Sequence, residues 1–213
     1  MVDTPQPNLR AENLTLTRGG RALFNELSFT IDGGEALILR GANGSGKTSL
    51  LRVLAGLTEP DEGTISWGAS ACKPASPALR ANLLYLGHAN ALKDDLTTAE
   101  NLADTLNFDG ANISQENQHR ALERVGLIER RDLAARRLSQ GQKRRIGLAR
   151  LLIGQKSLWL LDEPTNALDV SGVALFTKIV EEHLLRGGMA CIATHLTMQI
   201  DAPVRELNLV EFA

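Results

Sequence analysis

The stretch Gly41-Ala42-Asn43-Gly44-Ser45-Gly46-Lys47-Thr48 has the spacing G-x-x-x-x-G-K-[ST], and each residue type in it has a chemical use. Glycines let the backbone take positive φ and turn its N–H groups inward, so that amide dipoles and the N-terminus of a following helix can surround a β-phosphate. Lys47 adds a mobile positive charge for the β- and γ-phosphates, and the Thr48 hydroxyl suits a magnesium ion. A second group, Leu158-Trp159-Leu160-Leu161-Asp162-Glu163, runs from four apolar residues into two carboxylates. Phosphoryl transfer to water has two acidic roles to fill; Asp162 suits the magnesium shell and Glu163 the attacking water. Strand alternation puts these two acids on opposite sides, so they share a site only where the strand is already turning. Alone, the pair would read as a solvated strand end. A third group, Leu138-Ser139-Gln140-Gly141-Gln142, offers a hydroxyl and free backbone amides at a helix start, which by itself is a helix cap.

These groups need elements to hold them. The unbroken apolar stretch Ala36–Leu39 predicts a strand buried on both faces, as in parallel sheets, leading directly into the glycine loop. Leu50, Leu51, Val53, Leu54 and Leu57 then recur at helical spacing until Gly56, Glu59 and Pro60 end the helix. Ahead of them, Leu14 and Leu16 and, after Gly19-Gly20, Leu27, Phe29 and Ile31 alternate with polar residues, which predicts antiparallel strands. From about Ala99 to Arg137 the pattern becomes helical and polar. Gly110-Ala111-Asn112 would connect two helices there, and Leu122, Val125 and Leu127 lie on one side of the second. A helix over about 142–153, a buried strand over 158–161, a helix over 173–185 and a strand over 189–193 follow. Alternating strands and helices imply an α/β fold with a mainly parallel core sheet.

Composition limits what else the chain can be. Its 213 residues carry 23 basic and 25 acidic side chains, 43% hydrophobic and 23% charged residues, the balance of an ordinary globular domain. No excess of Lys and Arg exists to neutralise a nucleic-acid backbone. No apolar run approaches the roughly 18–20 residues that cross a bilayer, and residues 1–7 do not read as a secretory signal. Cys72 and Cys191 belong to no Cys-x-x-Cys pair, so a reducing compartment is expected and a metal or redox motif is not. His119 and His183 are expected at the solvated surface.

Taken together, the three groups resemble the ATP-binding cassette (ABC) ATPase family over almost the whole chain. The resemblance implies a P-loop NTPase fold of one domain over 1–213, with an N-terminal antiparallel β-subdomain and an inserted helical subdomain at about 89–137. Residues 41–48 match the family's phosphate loop, Leu138–Gln142 its signature motif, Ala167-Leu168-Asp169 its D-loop and His195 its switch histidine. The family implies that the signature of one copy closes over ATP on the other copy's phosphate loop. Ser139 and Gly141 would then contact the γ-phosphate in trans, His195 would sense it, and Asp169 would link the two sites. Two positions depart from the family pattern. His88, in Gly87-His88-Ala89, stands where a glutamine usually contacts magnesium and couples to the membrane partner; an imidazole can still ligate, with a charge that varies near neutral pH. Arg18 stands near where an aromatic usually stacks on adenine; a guanidinium can also stack on a base.

Residues 18–24, Leu84–His88 with Leu92-Lys93, and Leu158–Leu161 narrow the resemblance to the haem-exporter ATPases of bacterial cytochrome c maturation. That implies ATP and Mg²⁺ as cofactors and a second copy as partner. It also implies separately encoded integral membrane subunits, haem only indirectly, and a peripheral place on the cytoplasmic face of the inner membrane. A motor for another small cargo such as a lipid or lipoprotein, or a soluble ATP clamp with no membrane partner, are the alternatives.

Overall fold

A computed structural model describes residues 8–68, 70–72, 76–108 and 114–212. The expected connection at Gly110-Ala111-Asn112 lies outside them. The chain divides into two compact units, residues 1–85, 156–163 and 180–213 in one and residues 86–155 and 164–179 in the other.

The first unit is built on two sheets. β1 (Leu9–Arg18) and β2 (Arg21–Ile31) form a hairpin closed by Gly19-Gly20, and β4 (Glu62–Trp67) and β5 (Ser70–Cys72) extend it to the antiparallel order β2-β1-β4-β5. The alternation read along residues 14–31 is the reason: Leu14, Leu16, Leu27 and Ile31 are fully buried while their neighbours face water. β4 goes unread in the sequence because only Ile65 of its residues is buried, too little to set a period.

The other sheet has the order β6-β7-β8-β3-β9, with β3 (Ala36–Arg40), β6 (Leu83–Leu86), β7 (Leu158–Asp162), β8 (Met189–Ala193) and β9 (Val204–Asn208). β7, β8, β3 and β9 pair in parallel. Every residue of β7 and β8 is buried, as are the first four of β3, which is why these strands read as unbroken apolar runs. β9 lies at the edge, exposed except for Leu207, and its sequence carries no apolar pattern to announce it. α1 (Lys47–Leu54) packs on β7 and β8 with Leu50, Leu51, Val53 and Leu54 buried. It ends before Leu57, which is 53% exposed and not on the helix face expected of it. A short helix, α2 (Pro77–Asn82), precedes β6.

His183 is a correction to the sequence expectation. It is 5% exposed, its ring stacks on Trp159 of β7 with centroids 3.6 Å apart and planes 6° from parallel, and its Nε2 lies 3.1 Å from Met189 O. A Cβ on Gly188 would sit 2.2 Å from the ring, so the pocket exists because residue 188 has no side chain. Burial outweighs the hydrogen bond and pushes the imidazole down to about 4, so it is neutral at physiological pH. His119 is exposed, as expected.

In the second unit, α3 (Thr98–Phe108), α4 (Gln115–Arg124) and α5 (Gln140–Ile153) pack pairwise. α4 stops at Arg124; Gly126, at φ +71°, turns the chain into two short 3₁₀ turns. Leu122, Val125 and Leu127 are nevertheless all buried. α5 begins two residues earlier than the sequence suggests, at Gln140, and α6 (Val170–Leu185) three earlier.

Candidate functional site

In the first unit, residues 41–48 form a loop from the end of β3 into α1. Gly41, at φ +140°, meets the loop's own far side: a Cβ there would lie 2.5 Å from Ser45 Oγ. Gly46 caps α1 at φ +101° with Leu23 close over it, leaving the first helical amides without a side-chain partner. Ala42, Asn43 and Gly44 form the exposed rim. Lys47 is 7% exposed and donates from Nζ to Gly41 O at 2.7 Å and Ala42 O at 3.1 Å, so its charge rests over the loop's concave side. Ser45 Oγ is buried without a hydrogen-bond partner among the described residues. An orphaned hydroxyl, a charge parked on exchangeable carbonyls and open helix amides together fit a phosphate group.

The acids fall where the strand ends. Asp162 closes β7 at 2% exposure and accepts the Thr48 hydroxyl at 2.9 Å and 3.1 Å on its two oxygens. Glu163 takes φ +46°, outside strand geometry, and its amide donates to Ala193 O at 2.9 Å. Its carboxylate lies 3.2 Å from His195 Nε2, which is also 3.0 Å from Asn43 Oδ1. Both neighbours of Nε2 are oxygen acceptors, so that nitrogen carries the hydrogen. Among the described residues no three His, Cys, Asp or Glu side chains cluster as a metal site. A hydroxyl and one carboxylate are the hard oxygen ligands magnesium takes when phosphates and water complete its shell. Arg18 ends β1 at the exposed hairpin tip, its Nη1 turned back 3.0 Å onto Thr17 O.

The second unit holds Ser139, Gly141 and Asp169, the residues that the family resemblance marks. Ser139 caps α5 in a capping box: its hydroxyl accepts from Gln142 N at 3.2 Å, and Gln142 Oε1 accepts from Ser139 N at 3.0 Å. Gly141 lies so near the turn before Asp169 that a Cβ would be 2.7 Å from Ala167 O. Asp169 accepts from Gly172 N and from Arg145 Nη2, both at 2.9 Å, and from Ser171 Oγ at 3.0 Å. The backbone donor first, then Ser171 and Arg145, hold its carboxyl below the usual range. Ser139, Gly141, Gln142, Arg145 and Asp169 line one cleft of about 740 Å³. His88 is exposed in the loop after β6, and the buried Arg144 holds that loop, donating from Nη1 to Gly87 O at 2.9 Å and from Nε to Pro164 O at 2.9 Å. In the sequence Arg144 and Arg145 read only as a small basic cluster, because their partners are backbone and loop groups about 20 or more residues away.

A parallel α/β sheet, a phosphate loop and a strand-end acid pair define a nucleotide-hydrolysing class of protein. The family model described as "ABC transporter" matches residues 24–166, and the chain belongs to that family, whose members bind ATP with Mg²⁺ and hydrolyse it. Among its relatives, "Cytochrome c biogenesis ATP-binding export protein CcmA" of Dechloromonas aromatica is 50% identical over 94% of this chain and 99% of its own. The protein of that name from Nitrosococcus oceani is 45% identical over 98% of this chain and 95% of its own. The solved "Putative ABC transporter (ATP-binding protein)" of Pyrococcus furiosus shares the fold, with a TM-score of 0.84, 22% identity, and 97% and 99% of the two chains covered.

Proposed function

We propose that this chain is the ATP-hydrolysing motor subunit of an export complex that handles haem for cytochrome c biogenesis, either exporting haem or releasing a haem-loaded chaperone. The observation that carries the reading is the match of 50% and 45% identity, over nearly full length, to proteins named as ATP-binding exporters for that process. The geometry supports the hydrolytic part. Residues 41–46 and Lys47 hold the phosphates, Thr48 and Asp162 hold magnesium, and the ion, when bound, neutralises the charge that builds on the transferring group. Glu163, which leaves strand geometry at φ +46° and lies beside His195, polarises water, while His195, between Glu163 and Asn43, reads the γ-phosphate side. Ser139, Gly141 and Asp169 of a second copy complete each site, so two chains enclose two nucleotides. His88 and Arg18 take the coupling and adenine-side positions. Closure and opening of that dimer drive separately encoded membrane subunits, to which the chain docks at the cytoplasmic face of the inner membrane; haem is met only through them.

The test is complementation. Cells lacking the chain should lose covalent haem from their c-type cytochromes, measured by haem staining of membrane and periplasmic fractions. The unaltered gene should restore it and Glu163→Gln should not. Intact c-type cytochromes in the deletion would overturn the haem role, and full rescue by Glu163→Gln would overturn the catalytic assignment.

A further inference from the structure

Arg40 is the last residue of β3, immediately before Gly41 and outside the glycine loop itself. Its guanidinium reaches the edge strand β9 on one side and the segment that follows β8 on the other. Nε and Nη2 donate to Glu206 Oε1 on β9 at 3.0 Å and 2.7 Å, and Nη1 donates to Thr194 O and to Leu196 O, each at 3.0 Å. Those two carbonyls bracket His195. Leu196 N also donates to Thr194 Oγ1 at 3.1 Å, which closes a tight turn around the histidine. Among the described residues the polar contacts of the imidazole are with Asn43 and Glu163, through Nε2, and its side chain is 52% exposed. Such contacts do not fix a loop that leaves the sheet at Ala193. A planar cation donating to two backbone carbonyls does, because charge-assisted hydrogen bonds are roughly twice as strong as neutral ones and the fork has one geometry.

The geometry points to Arg40 as a positioning residue for ATP turnover: it ties the backbone on both sides of His195 to the root of the phosphate loop, with Glu206 on the edge strand orienting its guanidinium. Because β3 runs directly into Gly41, Arg40 links the root of the phosphate loop to the backbone around His195, alongside the contact of the imidazole with Asn43. The Arg40–Glu206 pair lies at a rim where Glu206 is 58% exposed, a place where an ion pair adds little to stability and its use is orientation. The inference rests on the reading of Glu163 and His195 as the hydrolytic pair.

The test uses the full chain with ATP and magnesium. In Arg40→Gln, kcat should fall roughly tenfold while KM for ATP stays within about twofold, the pattern of a lost transition-state arrangement. Hydrogen–deuterium exchange should rise in residues 194–198 and not in α1. Arg40→Lys keeps the charge but cannot span two carbonyls and a carboxylate, so it should restore only part of the rate. Glu206→Gln, at an exposed site that does not threaten folding, should change rate and exchange in the same direction by less. In a His195→Ala background the Arg40 substitution should cost nothing further. Normal kcat with unchanged exchange, or an equal loss without His195, overturns the proposal. Full turnover in His195→Ala alone would instead overturn the hydrolytic reading of His195, while the exchange measurement still decides whether Arg40 holds the loop.

Discussion

Asp162 and Glu163 carry the same functional group one residue apart, and the backbone separates their work. Asp162 keeps strand geometry and turns inward to Thr48; Glu163 flips to φ +46° and faces His195. A strained backbone of this kind costs of order 1–3 kcal/mol and persists because its surroundings hold it, here through the Glu163 amide on Ala193 O. Close approach sets an equally sharp condition at Gly141. A methyl group there would press on the Ala167 carbonyl, which is backbone and cannot rotate away. Gly141→Ala should therefore displace the loop before Asp169 and lower ATP turnover by roughly 10- to 100-fold, measured by phosphate release. Ser139→Ala removes half of a capping box and should lower unfolding stability by about 1 kcal/mol in chemical denaturation.

At the scale of elements, β7 is held from behind by the His183–Trp159 stack, so the strand that presents Asp162 depends on a neutral imidazole from α6. The folded imidazole titrates near 4 and an unfolded one near the ordinary value of 6.5. Between those values the unfolded chain binds the extra proton, so stability is complete above about pH 6.5 and declines as pH falls toward 4. The gap corresponds to at most about 3 kcal/mol. His183→Gln should flatten that part of the stability–pH curve, read as thermal midpoint against pH. Gly188→Ala drives a methyl into the ring and should destabilise the fold by roughly 1–3 kcal/mol at neutral pH.

At the scale of the whole molecule, what was legible in the sequence was local. The glycine loop, the buried strand before it and the helix after it occupy fewer than 20 consecutive residues, and their chemistry follows from spacing and residue type alone. Among the described residues no helix is long and apolar enough to cross a membrane. If two copies enclose two nucleotides, Glu163→Gln with ATP and magnesium should elute at roughly twice the mass it shows without nucleotide, since cleavage that would reopen the dimer is blocked. Elution at one mass under both conditions would count against the sandwich. By itself, then, the sequence made legible the glycine loop, the acid pair and the helix cap at Ser139, each written in contiguous residues, and the parallel α/β class, written in the alternation of buried apolar runs with helical stretches along the chain. Only the tertiary structure decided that His183 is buried, that Arg40 brackets His195 and that Arg145 holds Asp169. Those are contacts between residues 6 to 156 positions apart, and a charged or titratable side chain is read from sequence as solvated until the fold supplies its partner.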